Sequence, residues 1–140
     1  MNDAALDELL HSITGDVGRD LARRALNVEN AQKLLLSIHG TGRVYSTTFW
    51  TDGRGRLRRG RDRVPHQASA PGEPPATDTG RLRATVSHVV ATDAEGVYAE
   101  VGSGANPAVP GVKYALFLEQ GTRHMAPRPW LLPSLDAAKD

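Results

Sequence analysis

An α+β fold is predicted by three features of the chain. These are an N-terminal run of apolar residues at helical spacing, turn-bounded runs of β-forming residues in the middle, and a closing passage where a glycine and paired prolines divide two short helical segments. The expected arrangement is a long N-terminal helix packed on a small antiparallel β-sheet. A short C-terminal helix and a long Arg/Pro/Gly-rich loop complete it. At 140 residues the chain is read as one domain, large enough to bury roughly two thirds of its extended-chain surface.

The helix is expected over residues 1–40. Leu6, Leu10, Ile13, Val17, Leu21, Ala25 and Val28 recur every three or four residues, and Ala31, Leu34, Leu35 and Ile38 continue the stripe until Gly40 and Gly42. Asn2 and Asp3 offer a cap and a first-turn negative charge. Gly15 and Gly18 each cost about 1 kcal/mol relative to alanine inside a helix, which marks residues 15–16 as the place for a kink. The opposite face carries Asp7, Glu8, Arg19, Asp20, Arg23 and Arg24 and reads as solvated.

Residues 43–51, RVYSTTFWT, have the β-branched and aromatic content of a strand, and Asp52-Gly53 is a hairpin turn dipeptide. Beyond it, residues 53–80 are expected as an extended, flexible loop. Its first part is a mobile basic arm bearing Arg54, Arg56, Arg58, Arg59, Arg61 and Arg63, and its second part holds Pro65, Pro71, Pro74 and Pro75, which oppose helix and central strand alike. A β-hairpin is expected over residues 81–102, because Leu82, Ala84, Val86, His88 and Val90 alternate with Arg83, Thr85, Ser87 and Val89, and Val97, Ala99 and Val101 alternate with Tyr98 and Glu100.

Residues 112–140 hold a helix, a proline-rich corner and a terminal helix. Tyr114, Ala115 and Leu118 recur at helical spacing and Gly121 stands where a helix stops. Pro127 and Pro129 fix the backbone on either side of Arg128, so Trp130 leaves the corner in a set direction. Pro133 falls in the first turn of the terminal helix, where a missing N–H is harmless.

Composition is that of an ordinary globular protein, with 39% hydrophobic and 24% charged residues. The net charge of +1, from 17 basic and 16 acidic residues, points to no partner as a whole. The chain has no cysteine, which excludes disulfides and thiolate metal sites. Its longest aliphatic run is Leu34 to Leu36 and its start is acidic, so neither a membrane span nor a secretory signal is expected and the protein is read as soluble and cytosolic at first.

No catalytic or cofactor motif emerges. Gly102 and Gly104 make only a G-x-G fragment, with Pro107 and Pro110 where a phosphate-binding helix would begin. His11, His39, His66, His88 and His124 are scattered singly, and Glu95, Glu100 and Glu119 show no pairing that singles them out for acid or base work. No catalytic residue, metal ligand or cofactor is therefore assigned. The arginine run is the strongest electrostatic feature. Six arginines on phosphates would give a salt dependence of roughly −0.7 to −0.9 per contact, yet no interleaved aromatics are present to stack on bases. A solvated arm, or one that meets acidic surface on a neighbouring subunit, is the competing reading.

Three segments together resemble one family. Residues 66–76, HQASAPGEPPA, lead into Thr79-Gly80-Arg81-Leu82-Arg83, and the third segment holds Tyr114-Ala115, Leu118-Glu119, Gly121-Thr122, Met125, Arg128-Pro129-Trp130 and Leu132-Pro133-Ser134-Leu135. In order and approximate spacing they look like the gene-product-ten-like tail components of lambdoid long-tailed bacteriophages. The resemblance covers the C-terminal half, while the N-terminal helix matches only in kind and the arginine-rich insertion has no counterpart. It implies a non-enzymatic virion protein that forms a homo-oligomeric ring, six-fold, at the neck or the head-proximal end of the tail. Neck, tail-completion and tail-terminator roles all fit that description. Implied partners are adjacent head-tail adaptor or stopper proteins and tail proteins, with contact to genome DNA in the channel and none to membrane. Assembly would take place in the host cytoplasm. Under this resemblance Arg128, Pro129 and Trp130 shape a subunit interface or its supporting corner. The alternative is a nucleic-acid-binding accessory protein that uses the arginines of residues 54–63.

Overall fold

A computed structural model describes the backbone of residues 3–139 and the side chains of residues 14–139 apart from 47, 48, 50 and 61–64. Helix α1 (Asp3–Leu35) is followed by β1 (Val44–Thr51), β2 (Leu57–Gln67), α2 (Arg81–Thr85), β3 (Val86–Thr92), β4 (Val97–Ser103), α3 (Tyr114–Gln120) and α4 (Leu131–Ala137). The α+β class and the long N-terminal and short C-terminal helices are as the sequence predicts. The small sheet is in fact two separate antiparallel hairpins, β1–β2 and β3–β4.

Helix α1 runs unbroken through Gly15 and Gly18. The cost of two glycines is met by packing along the second half, where Ala25, Glu29, Gln32 and Leu36 fall at spacings of four, three and four and turn one face inward. The helix lies across β3 and β4 and meets α4, with Glu29 of its second half reaching His88 of β3. The expected Asn2 cap lies outside the described residues. The helix ends at Leu35 and not at Gly40, because residues 36–43 turn back onto the loop after β2.

Hairpin β3–β4 is paired in continuous register from Val86↔Ser103 to Thr92↔Val97. Its strand begins at Val86 and not at Leu82, since residues 81–85 close into the short helix α2, with the Ala84 amide donating to the Gly80 carbonyl. Leu82 is buried either way, so the alternation of Leu82 and Ala84 does not distinguish the two conformations.

Residues 57–67 form a strand, which corrects the expectation of a flexible loop from 53 to 80. Asp52 organises the turn: its Oδ1 accepts from the Arg54 and Arg56 amides, both at 3.0 Å, and its Oδ2 accepts from Arg58 Nε at 2.9 Å. Pro65 is tolerated because β2 bulges around it. From Tyr45↔His66 to Thr47↔Asp62, β2 advances four residues while β1 advances two, and a second shift follows between Thr47 and Phe49. The remaining residues, 68–80, form the predicted surface loop.

The core joins Leu36, Leu82, Val86 and Trp130, with Val112, Ala115, Leu118 and Leu131 packed around them. It therefore sits where the end of α1, helix α2, the start of β3 and the closing helices converge.

Candidate functional site

The closing corner is held by a dense set of backbone and side-chain hydrogen bonds. Helix α3 stops at Gly121, whose φ of 76° favours glycine and whose added Cβ would lie 2.8 Å from the Met125 carbonyl oxygen. Thr122 and Met125 then exchange backbone hydrogen bonds, at 2.8 and 3.2 Å, and the chain reverses. The Arg128 amide returns to the Leu118 carbonyl at 2.7 Å and closes the end of α3. Glu119 does the same for the start of α4: its Oε2 accepts from the Trp130 and Leu131 amides at 2.8 and 3.0 Å. Trp130 occupies the N-cap position and has no side-chain acceptor to offer, so a carboxylate eleven residues earlier supplies the cap.

The loop after β2 is clasped to this corner. Arg128 donates through Nε and Nη2 to the Ser69 carbonyl, at 3.3 and 3.2 Å, and the Gly72 amide donates to the Pro127 carbonyl at 3.0 Å. On its other side the loop meets the end of α1. The Gly42 amide donates to the Ala68 carbonyl at 2.8 Å, Thr77 Oγ1 donates to the Leu36 carbonyl, and the Glu73 carboxylate accepts from the amides of Ala70 and Thr41 and from the Thr41 hydroxyl. The Thr41 hydroxyl, followed by the Ala70 and Thr41 amides, holds Glu73 below the ordinary carboxylate range. Gly40 is required there, because a Cβ would fall 2.2 Å from the Ala68 carbonyl oxygen. All three segments of the family resemblance thus meet in space. They line one cavity of about 540 Å³, with Leu36, Leu82, Leu118 and Met125 among its apolar walls and His66 and Arg81 among its polar ones. A neighbouring hollow of about 460 Å³ shares His66.

The expected interface residues divide. Trp130 is 1% exposed and belongs to the core, so its indole supports the corner from within and is not on its outer surface. Arg128 and Pro129 are half-buried, and the Arg128 guanidinium is engaged by the loop. Of the arginines, Arg54 and Arg56 flank the exposed turn of the first hairpin, while Arg58 and Arg59 stand on β2 opposite Trp50 and Phe49. The side chains of Arg61 and Arg63 lie outside the described residues. The segment expected as a mobile basic arm is, from Leu57 on, built as a strand.

Glu29 and Glu119 are carboxylates whose roles the sequence does not reveal. Glu29, on α1, pairs with Lys33 and with His88 Nδ1 on β3. Burial pushes its carboxyl up, but the hydrogen bonds from Lys33 and His88 outweigh this and hold it below its usual range. Both groups are thereby explained by structure. Glu95 and Glu100 are exposed, and among the described residues no three His, Asp or Glu side chains gather as a metal site. No described helix is long and apolar enough to cross a membrane.

The surface as a whole is large, and many large apolar side chains lie on it. An accessible area of 10149 Å² for 15.0 kDa compares with about 7000 Å² expected of a compact monomer of that mass. Among the exposed residues are Leu34 and Leu57, at 70% and 71%, together with Phe49, Leu116, Phe117 and Leu132. The chain matches no family model, no curated protein and no solved structure.

Proposed function

We propose that this chain is a non-enzymatic structural subunit of a long-tailed bacteriophage virion. It assembles as a ring, six-fold by the family resemblance, at the joint between head and tail. The observation that carries the proposal is the excess of roughly 3000 Å² over a compact monomer's surface, together with fourteen exposed large apolar side chains among the described residues. A subunit in a closed ring uses two different faces, each burying on the order of 800 Å², which together account for about half of the excess. The convergence of the three resembling segments on one clasped corner supports the same reading, since residues that are matched in order also act together in space. Neighbouring adaptor or stopper and tail proteins would cover the remaining apolar surface, and the assembly would form in the host cytoplasm before joining the virion.

Electron microscopy of the purified protein tests this. Closed rings of constant diameter are expected, and a field of single small particles contradicts it.

A second reading draws on Arg54, Arg56, Arg58 and Arg59, exposed along the hairpin, as a phosphate-binding strip. It predicts salt-sensitive DNA binding that is lost when the arm is removed and a protein that stays monomeric.

A further inference from the structure

We infer that the cavity under the clasped loop is a binding site for a small apolar anion, a molecule with a carboxylate or phosphate head on an apolar body. This goes beyond the structural role and does not rest on ring assembly, because the walls come from one chain.

Its apolar walls are drawn from separate parts of the chain. Leu36 follows α1, Leu82 lies in α2, Leu118 in α3 and Met125 in the reversal beyond it. The volume of about 540 Å³ falls within the roughly 300–1000 Å³ of sites that take small ligands. Backbone anchors fix its shape. Thr77 Oγ1 donates to the Leu36 carbonyl, and Arg128 donates to the Ser69 carbonyl at 3.3 and 3.2 Å, so the loop wall is tied to the end of α1 and to the closing corner. Such a site is formed before anything enters it.

The same walls are basic. Arg81, Arg83 and Arg128 stand against one carboxylate, Asp78, so three positive charges less one negative leave a net charge of +2 with His66 neutral. Asp78 already has a partner. Arg81 and Arg83 flank the buried Leu82 on α2, whose entry is Gly80 at a φ of 73°, and both are exposed. Among the described residues neither guanidinium has a hydrogen bond or an ion pair, whereas Arg19, Arg23, Arg24 and Arg58 each hold an aspartate. Arg128 is half-buried with the Ser69 carbonyl as its acceptor, and a carbonyl dipole compensates a buried charge only in part. Guanidinium forks fit carboxylate and phosphate oxygens in pairs. A bare inorganic anion would satisfy the arginines and leave the apolar walls wet, while a neutral apolar molecule would do the reverse. A ligand with both parts answers both walls.

Calorimetric titration of the purified chain with decanoate, decyl phosphate, decanol and inorganic phosphate tests this. Saturable binding of either decyl acid is expected, with decanol and inorganic phosphate weaker by about tenfold or more. A variant carrying Arg81→Gln and Arg83→Gln should melt as the parent does and bind the acid about tenfold more weakly. A control carrying Arg54→Gln and Arg56→Gln, away from the cavity, should bind it as the parent does. The site is overturned if neither acid binds saturably, if decanol binds as tightly as decanoate, or if the control loses as much affinity as the cavity variant. If a short peptide of leucine and glutamate binds where both acids fail, the occupant is a protein segment and the small-molecule assignment is overturned. The comparison of acid with alcohol on the parent chain decides the matter without any variant.

Discussion

Single residues decide the closing corner. Glu119 caps α4 from outside the helix, and its replacement by alanine leaves the Trp130 and Leu131 amides without an acceptor. The expected loss is about 1–3 kcal/mol, measured by urea denaturation, with Glu119→Gln losing less because one acceptor oxygen remains. Nothing local announces this cap. The available hint is negative: the residue before α4 is a tryptophan, which cannot cap, so an acceptor had to come from elsewhere. Trp130 illustrates the opposite limit of sequence reasoning. Pro127 and Pro129 state that its direction is fixed, but a fixed tryptophan serves a core and an interface equally well, and only the packing of Leu36, Leu82 and Val86 around it decides for the core. Trp130→Ala is accordingly expected to cost about 3–5 kcal/mol and to unfold the protein before any effect on assembly can be read. Gln32 and Trp130 also carry buried polar atoms, Oε1 and Nε1, with no hydrogen-bond partner among the described residues. Gln32→Met should therefore be neutral or stabilising by up to about 1 kcal/mol in the same denaturation experiment.

At the scale of elements, the strongest sequence signals were periodic ones. Helix α1, hairpin β3–β4 and the α3–Gly121 stop were legible because spacing alone specifies them. Strand β2 was not, because its arginines lack alternating apolar partners and Pro65 argues against a ladder; the Asp52 turn and the bulges that admit the proline are set by the folded hairpin. The α1–β3 contact is held in part by Glu29. Its folded-state carboxyl lies below its usual value, so the stabilisation is fully present above the ordinary carboxylate pKa and is lost as pH falls through the lowered one. Thermal melts should show Glu29→Gln less stable than the parent at neutral pH, with the difference shrinking on acidification below about pH 4.5. The junction of α1 with the loop makes a steric demand. Gly40→Ala should destabilise the protein strongly, because the clash is with backbone, while Gly53→Ala, with open space around it, should leave the melting temperature unchanged.

For the whole molecule, the governing fact is the mismatch between a small core and a large apolar surface. Five apolar residues are buried among those described, while fourteen large ones are exposed. Length and composition do not foretell this, since 39% hydrophobic residues suit a compact monomer equally well. The imbalance comes in part from the first hairpin, whose two strands pack mainly on each other and on no other element to a comparable extent. Association with further copies would cover that surface, and the mass of the purified protein in solution tests this most directly. Light scattering coupled to size exclusion should give one well-defined multiple of 15.0 kDa, stable on dilution and dissociating as salt is raised. A mass of one chain at every concentration would contradict it.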